Sequence, residues 1–185
     1  MNSMSRPHDN DDRACGCKKE KQKEAEAILK CKDLSPVTVP TPSAAGVTNT
    51  LGGSITLNTC KFCLPCTKFE FASNIITVFP ALASSATIRF QLYKLCKGDT
   101  VRTKVGPEWV ITIANITDTV ANTANDIASF FICDCDCDCD CDENDCCTYT
   151  VDVIINNSAG TLPTSVTINN PTLSALVVEK NVRCC

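Results

Sequence analysis

From residue 46 onward the chain alternates apolar and polar side chains in short runs. Phe69 and Phe71 alternate with Lys68 and Glu70, and Ile88, Phe90 and Leu92 stand against Arg89 and Gln91. Trp109, Ile111 and Ile113 share one parity, as do Tyr149, Val151, Val153 and Ile155. A period of two belongs to a strand with one buried face. Turn signals separate the runs: Lys97-Gly98-Asp99, Gly106-Pro107, the polar stretch around Asn157, and Asn170-Pro171. The Gly-Pro and Asn-Pro steps each read as a break between two strands. Val120, Ala124 and Ile127 are spaced for a short helix before Phe130 to Ile132 lead into strand. About eight or nine strands without βαβ alternation predict an all-β protein: a jelly-roll-like antiparallel β-sandwich over residues 46–185. An immunoglobulin-like sandwich is the second choice.

Residues 1–45 read differently. The first 14 are polar and patternless. KKEKQKEAEAILKCK is rich in helix formers, with Glu26 and Lys30 at i,i+4, and predicts a connector arm that is partly helical. From Leu34, Pro36, Pro40 and Pro42 disfavour helix, so this stretch reads as an extended linker or edge strand leading into the sandwich.

The run CDCDCDCDCDENDCC, residues 133–147, is the most unusual part of the chain. Extended, it places Cys133, Cys135, Cys137, Cys139 and Cys141 on one face and the intervening aspartates on the other. Thiols two apart on one strand are near the upper separation for a disulfide and point in parallel, so pairing with another strand or another chain is easier. Five aspartates in alternation read as solvated and mutually repelling. Residues 133–145 carry a charge of −7 within a net −4, leaving the remainder at +3. No broad basic surface results, and nucleic acid is not an expected partner.

Catalysis finds little support. The single histidine is His8, outside the patterned region, and no phosphate loop, dinucleotide fingerprint or HExxH is present. No stretch has the length and apolarity of a membrane span. Cys60, Cys63 and Cys66 open an iron–sulfur-like C-x2-C-x2-C run but lack its continuation. The expectation is therefore a non-enzyme without cofactors.

Sixteen cysteines in 185 residues is disulfide-scaffold usage, yet the N-terminal residues show no secretory signal pattern. This predicts synthesis in the cytoplasm and later oxidation. Cysteines fall in the arm (Cys15, Cys17, Cys31), in the body (Cys60, Cys63, Cys66, Cys96), after the ladder (Cys146, Cys147) and at the end (Cys184, Cys185). Placement near both ends suits a head-to-tail polymer, which a heterologous contact extends into a filament. The eleven named cysteines are the candidates for intersubunit disulfides, with Cys15 and Cys17 as donors. The alternative is a metal-sequestering protein using Cys133, Cys135, Cys137, Cys139 and Cys141 as thiolate ligands.

The cysteine-bearing arm, the Thr/Val/Asn-rich β-body and the further cysteines together resemble subunits of bacterial endospore appendages, which are disulfide-linked pilus-like fibres. They also resemble cysteine-rich proteins of spore-forming clostridia. The resemblance spans residues 15–185. It implies an eight-stranded jelly roll whose N-terminal connector, here Cys15 and Cys17, bonds to subunits further along a homopolymer. It further implies synthesis in the mother cell, a final place on the spore surface or in an extracellular fibre, and a spore coat or exosporium protein as anchor.

Overall fold

The computed structural model describes residues 27–42, 45–60, 62, 65–115, 120–135, 146–160 and 163–179. They form strands β1 (Ile28–Asp33), β2 (Val37–Pro40), β3 (Val47–Thr50), β4 (Ile55–Asn58), β5 (Pro65–Phe79), β6 (Ser84–Cys96), β7 (Thr103–Asn115), β8 (Asn122–Cys135), β9 (Cys146–Gly160) and β10 (Ser165–Glu179). No helix occurs among the described residues.

Two five-stranded antiparallel sheets face each other. One runs β1-β10-β5-β8, with β2 also on the β10 edge; the other runs β3-β9-β6-β7, with β4 also on the β9 edge. Counting β1/β2 as one interrupted strand and β3/β4 as the next gives eight positions, ordered 1-8-3-6 and 2-7-4-5. That is the jelly-roll topology. The fold is an all-β sandwich, as the alternation predicts.

The core lies between the inner faces. Phe69, Phe71, Ile75 and Phe79 of β5 are fully buried, as are Ile88, Phe90 and Leu92 of β6 and Val151, Val153 and Ile155 of β9. Trp109 stacks on Phe130 at 4.0 Å between ring centroids, Phe130 on Phe71 at 4.8 Å, and Phe71 tilts against Phe90 at 5.2 Å. Offset and tilted aromatic contacts of this kind join both sheets into one packed layer. The lone Trp is thus a core residue at the β7 edge.

Both Pro steps read as breaks turn out to be bulges inside continuous strands. In β7 the register jumps from Leu92↔Val105 to Phe90↔Trp109, so Gly106, Pro107 and Glu108 bulge opposite Gln91. The buried Gln91 amide fills the gap, donating to the carbonyls of Leu92, Val105 and Gly106 at 3.0, 3.1 and 3.4 Å. In β10 the register shifts between Asn169 and Thr172, and Asn170 takes a left-handed φ of 47°. A bulge leaves one residue outside the ladder, which is where a proline without an N–H is tolerated.

Two further readings are corrected. Ile28 to Asp33, expected in a helical arm, is strand β1, because its backbone completes the β10 edge from Val177 to Thr172. Of the two readings of the stretch from Leu34, the edge strand is the one observed: β2 pairs with β10 at the sheet edge, and Ser35 bridges Gly52. The sandwich therefore starts near residue 28, ahead of the expected boundary at 46. The short helix expected over Val120 to Ile127 is instead the start of β8, with Ile127 exposed on its outer side. Residues 1–26 lie outside the described residues, and so does the rest of the expected helix.

Gly106 has φ +63°, and a Cβ there would run into the Ile132 side chain of β8. Gly106→Ala combines a left-handed backbone with an overpacked contact. It should lower the unfolding free energy by about 1–3 kcal/mol, read as a reduced urea midpoint at unchanged slope.

Candidate functional site

Strand direction places the cysteines at one end of the sandwich. In the first sheet β5 begins at Pro65 beside the end of β10 at Glu179, and Cys66 lies directly opposite Cys135, the last residue of β8. β1 also starts near this end, Ile28 facing Val177. In the second sheet Cys96 at the end of β6 faces Cys147 at the start of β9, and Asn58 at the end of β4 faces Cys146. The two sheet ends coincide, because Phe69 of β5 packs on Tyr149 of β9 at 4.4 Å. Every break in the described chain that contains a cysteine therefore opens or closes here. The turns at the far end carry none, since residues 67–95, 97–132 and 148–183 contain no cysteine.

Two disulfides close within the chain, Cys66–Cys135 and Cys96–Cys147. Each joins residues that strand register already places face to face. Cys66, Cys96 and Cys147, expected as intersubunit candidates, are thus bonded internally, and Cys135, expected as a metal ligand, is bonded to Cys66. The pairs differ in which way they face. Cys96 and Cys147 continue the inward parities of Leu92 and Tyr149, and Cys147 packs against the core. Cys66 and Cys135 alternate with the buried Thr67 and the half-buried Asp134, so their bond lies on the outer face of the first sheet.

Cys31 and Cys133 carry exposed thiols, and Cys146 a half-buried one. Cys60 is half-buried beyond β4, its N–H donating to Asn58 Oδ1 at 3.1 Å. Cys31 faces Ser174, and Cys133 faces Lys68, both on the same outer face as the Cys66–Cys135 bond. The remaining candidates, Cys15, Cys17, Cys63, Cys137, Cys139, Cys141, Cys184 and Cys185, lie outside the described residues. Among the described residues no group of three His, Cys, Asp or Glu side chains is arranged to hold a metal.

The ladder begins as its alternation predicts, with Cys133 and Cys135 outward and Asp134 inward. Asp134 is not a solvated, repelling carboxylate, however. It accepts a hydrogen bond from the Tyr149 hydroxyl at 3.1 Å and from Lys94 Nζ at 3.2 and 3.4 Å. This half-buried cluster joins β6, β8 and β9, caps the apolar core, and was not singled out in the sequence. Its only signal there is parity: Lys94 and Tyr149 fall on the inward positions of their strands. On the outer face, Lys68 bonds Glu70 at 2.6 Å and stands 5.4 Å over the Phe131 ring. The Glu70 hydrogen bond and charge raise the Lys68 pKa, keeping its cation beside Cys133.

The chain belongs to the DUF4489 family, a domain of unknown function, whose profile matches residues 25–178. No curated protein sequence matches it significantly. Among solved structures it is similar to the VP2 subviral particle protein of infectious bursal disease virus, at 15% identity and a TM-score of 0.44. That match covers 83% of this chain and only 33% of the capsid protein, so the chain spans about a third of its length. It is also similar to Eiger TNF from S. frugiperda, at 11% identity and a TM-score of 0.28, covering 84% and 95% of the two chains.

Removing the Asp134 carboxylate takes one acceptor away from the half-buried Lys94 ammonium and Tyr149 hydroxyl. Asp134→Ala should cost about 1–3 kcal/mol in urea unfolding. Adding Lys94→Met and Tyr149→Phe to Asp134→Leu should recover most of it, since all three polar members of the cluster are then replaced by apolar groups.

Proposed function

We propose that this chain is a structural subunit that assembles with copies of itself into a filament cross-linked by disulfides. The observation that carries the reading is the segregation of the described cysteines to one end of the sandwich, where exposed thiols stand beside two internal disulfides, one on the core side and one on the outer face. A scaffold needing disulfides only for its own stability has no reason to leave Cys31 and Cys133 exposed on one face. A binding or catalytic role would call for a polar concave site. A groove of about 370 Å³ on the first sheet's outer face is bordered by Glu70, Ala72, Ser129, Thr172 and Ser174.

In this reading Cys15 and Cys17, which precede β1 in the sequence, supply the donating thiols. The exposed thiols at that end of a neighbour receive them, each bond giving up two electrons and two protons to an external oxidant such as dioxygen. The polymer is sealed after its subunits have docked, because oxidation of free subunits with this many thiols scrambles their pairing. The resemblance to endospore appendage subunits is what supports a product on the spore surface, with synthesis in the mother cell and a coat or exosporium protein at its base. β-Strand addition at the sheet edges can supply backbone hydrogen bonds along the polymer.

Boiled in detergent without reductant, assembled material should stay at the top of a gel and show regular fibres by electron microscopy. With reductant it should fall to a single band near 19.9 kDa. A monomer band in both lanes with no filaments would overturn the proposal.

A further inference from the structure

The outer face of the first sheet differs from that of the second. Of the ten exposed large hydrophobic residues among the described ones, five lie on it: Leu29, Leu176, Val178, Ile127 and Phe131. The outer face of the second sheet shows only Val110. Strand pairing arranges the cysteine-bearing end of this face in rows: Val178, Cys66 and Cys135; then Leu29, Leu176, Lys68 and Cys133; then Cys31, Ser174, Glu70 and Phe131. Four strands spaced ~4.8 Å apart, with 13–15 residues at ~3.4 Å each, make a face of roughly 19 by 45–50 Å. That is on the order of the ~800 Å² per partner found in a standard interface. A second copy of this chain is the occupant that matches it. The patch meets its like through apolar contact, and both copies bring a disulfide and a thiol to the same place.

We propose that Cys66–Cys135 is a transferable disulfide, opened by the Cys133 thiolate of a second copy docked on this face. The inference rests on the assembly reading and adds how a bond between subunits forms. The incoming Cys133, its proton given up to solvent, bonds to Cys66 Sγ. The Cys66–Cys135 bond breaks, its electron pair leaves on Cys135 Sγ, and that thiolate takes a proton from water. One disulfide is consumed and one is made, so no oxidant is required. β5 is held by β10 on one side and β8 on the other, whereas among the described residues β8 pairs with β5 alone. Cys66 is therefore the fixed electrophile and Cys135 the leaving group on the freer strand. The Lys68 cation stands in the next row, where the thiolates pass. Cys96–Cys147 lies on the inward side and stays closed.

The test mixes two full-length chains without oxygen. The acceptor is the oxidised chain with its thiols blocked by iodoacetamide. The donor is a 15N-labelled, reduced Cys66→Ser/Cys135→Ser chain. Peptide mapping should find donor Cys133 joined to acceptor Cys66 and one thiol released per link, with the acceptor's Cys96–Cys147 intact. Adding Cys133→Ser to the donor should slow linkage at Cys66 by about tenfold or more. No link at Cys66, or a rate indifferent to Cys133→Ser, would overturn the proposal. Electron microscopy of the oxidised wild-type chain separates the two claims. Fibres without exchange sink this step alone, and no polymer of any kind sinks the assembly reading with it.

Discussion

The register of β5 against β8 is the constraint on which the cysteine-bearing end depends. Because side chains alternate faces, a slip of one residue would turn every outward group inward. In the observed register Phe71 and Phe130 meet inside, Cys66 and Cys135 meet outside, and Asp134 points in towards Lys94 and Tyr149. Gly106 gives way to Ile132 from the neighbouring sheet. These contacts select the same register, so hydrophobic packing and a polar cluster agree on where the thiols face. The disulfide between Cys66 and Cys135 records that choice and does not have to impose it.

Under the proposed exchange the two bonds at this end of the sandwich have different roles. Cys96–Cys147 continues the core outward to the end of the sandwich and closes a 51-residue separation in sequence. Bonds spanning such loops stabilise chiefly by restricting the unfolded chain. Cys66–Cys135 lies outside the core, among exposed apolar residues and thiols. Its surroundings suit chemistry between molecules better than protection within one. A jelly roll provides the platform, since its long paired strands hold one end rigid with or without further covalent bonds.

Much of this was legible in the chain. The inner face of β5, β6 and β9 is written in the alternation of Phe69, Phe90 and Val151 with their polar neighbours, and the outward cysteines of β8 in the same way. The bulges are not legible in the sequence because Gly106-Pro107 and Asn170-Pro171 carry the local chemistry of turns. Only the partner strands show that the ladder resumes beyond them. Ile28 to Asp33 follows helix-forming lysines and glutamates, yet the open edge of β10 recruits it, a tertiary demand that local propensity does not contain. Disulfide pairing is nonlocal for the same reason: Cys66 meets Cys135 across a separation of 69 residues, and no spacing rule encodes that. The fate of Asp134 depends on Lys94 and Tyr149, which alternation along one strand cannot reveal.

The most direct test of the account is isotope-mixed disulfide mapping. Equal amounts of 14N and 15N chain are co-assembled, digested without reduction, and their cystine peptides weighed. The account predicts hybrid peptides, one half from each isotope, among the exposed-end cysteines, while Cys96–Cys147 peptides remain isotopically pure. Cystine peptides that are all isotopically pure would mean that every bond closes within one chain, and would contradict it.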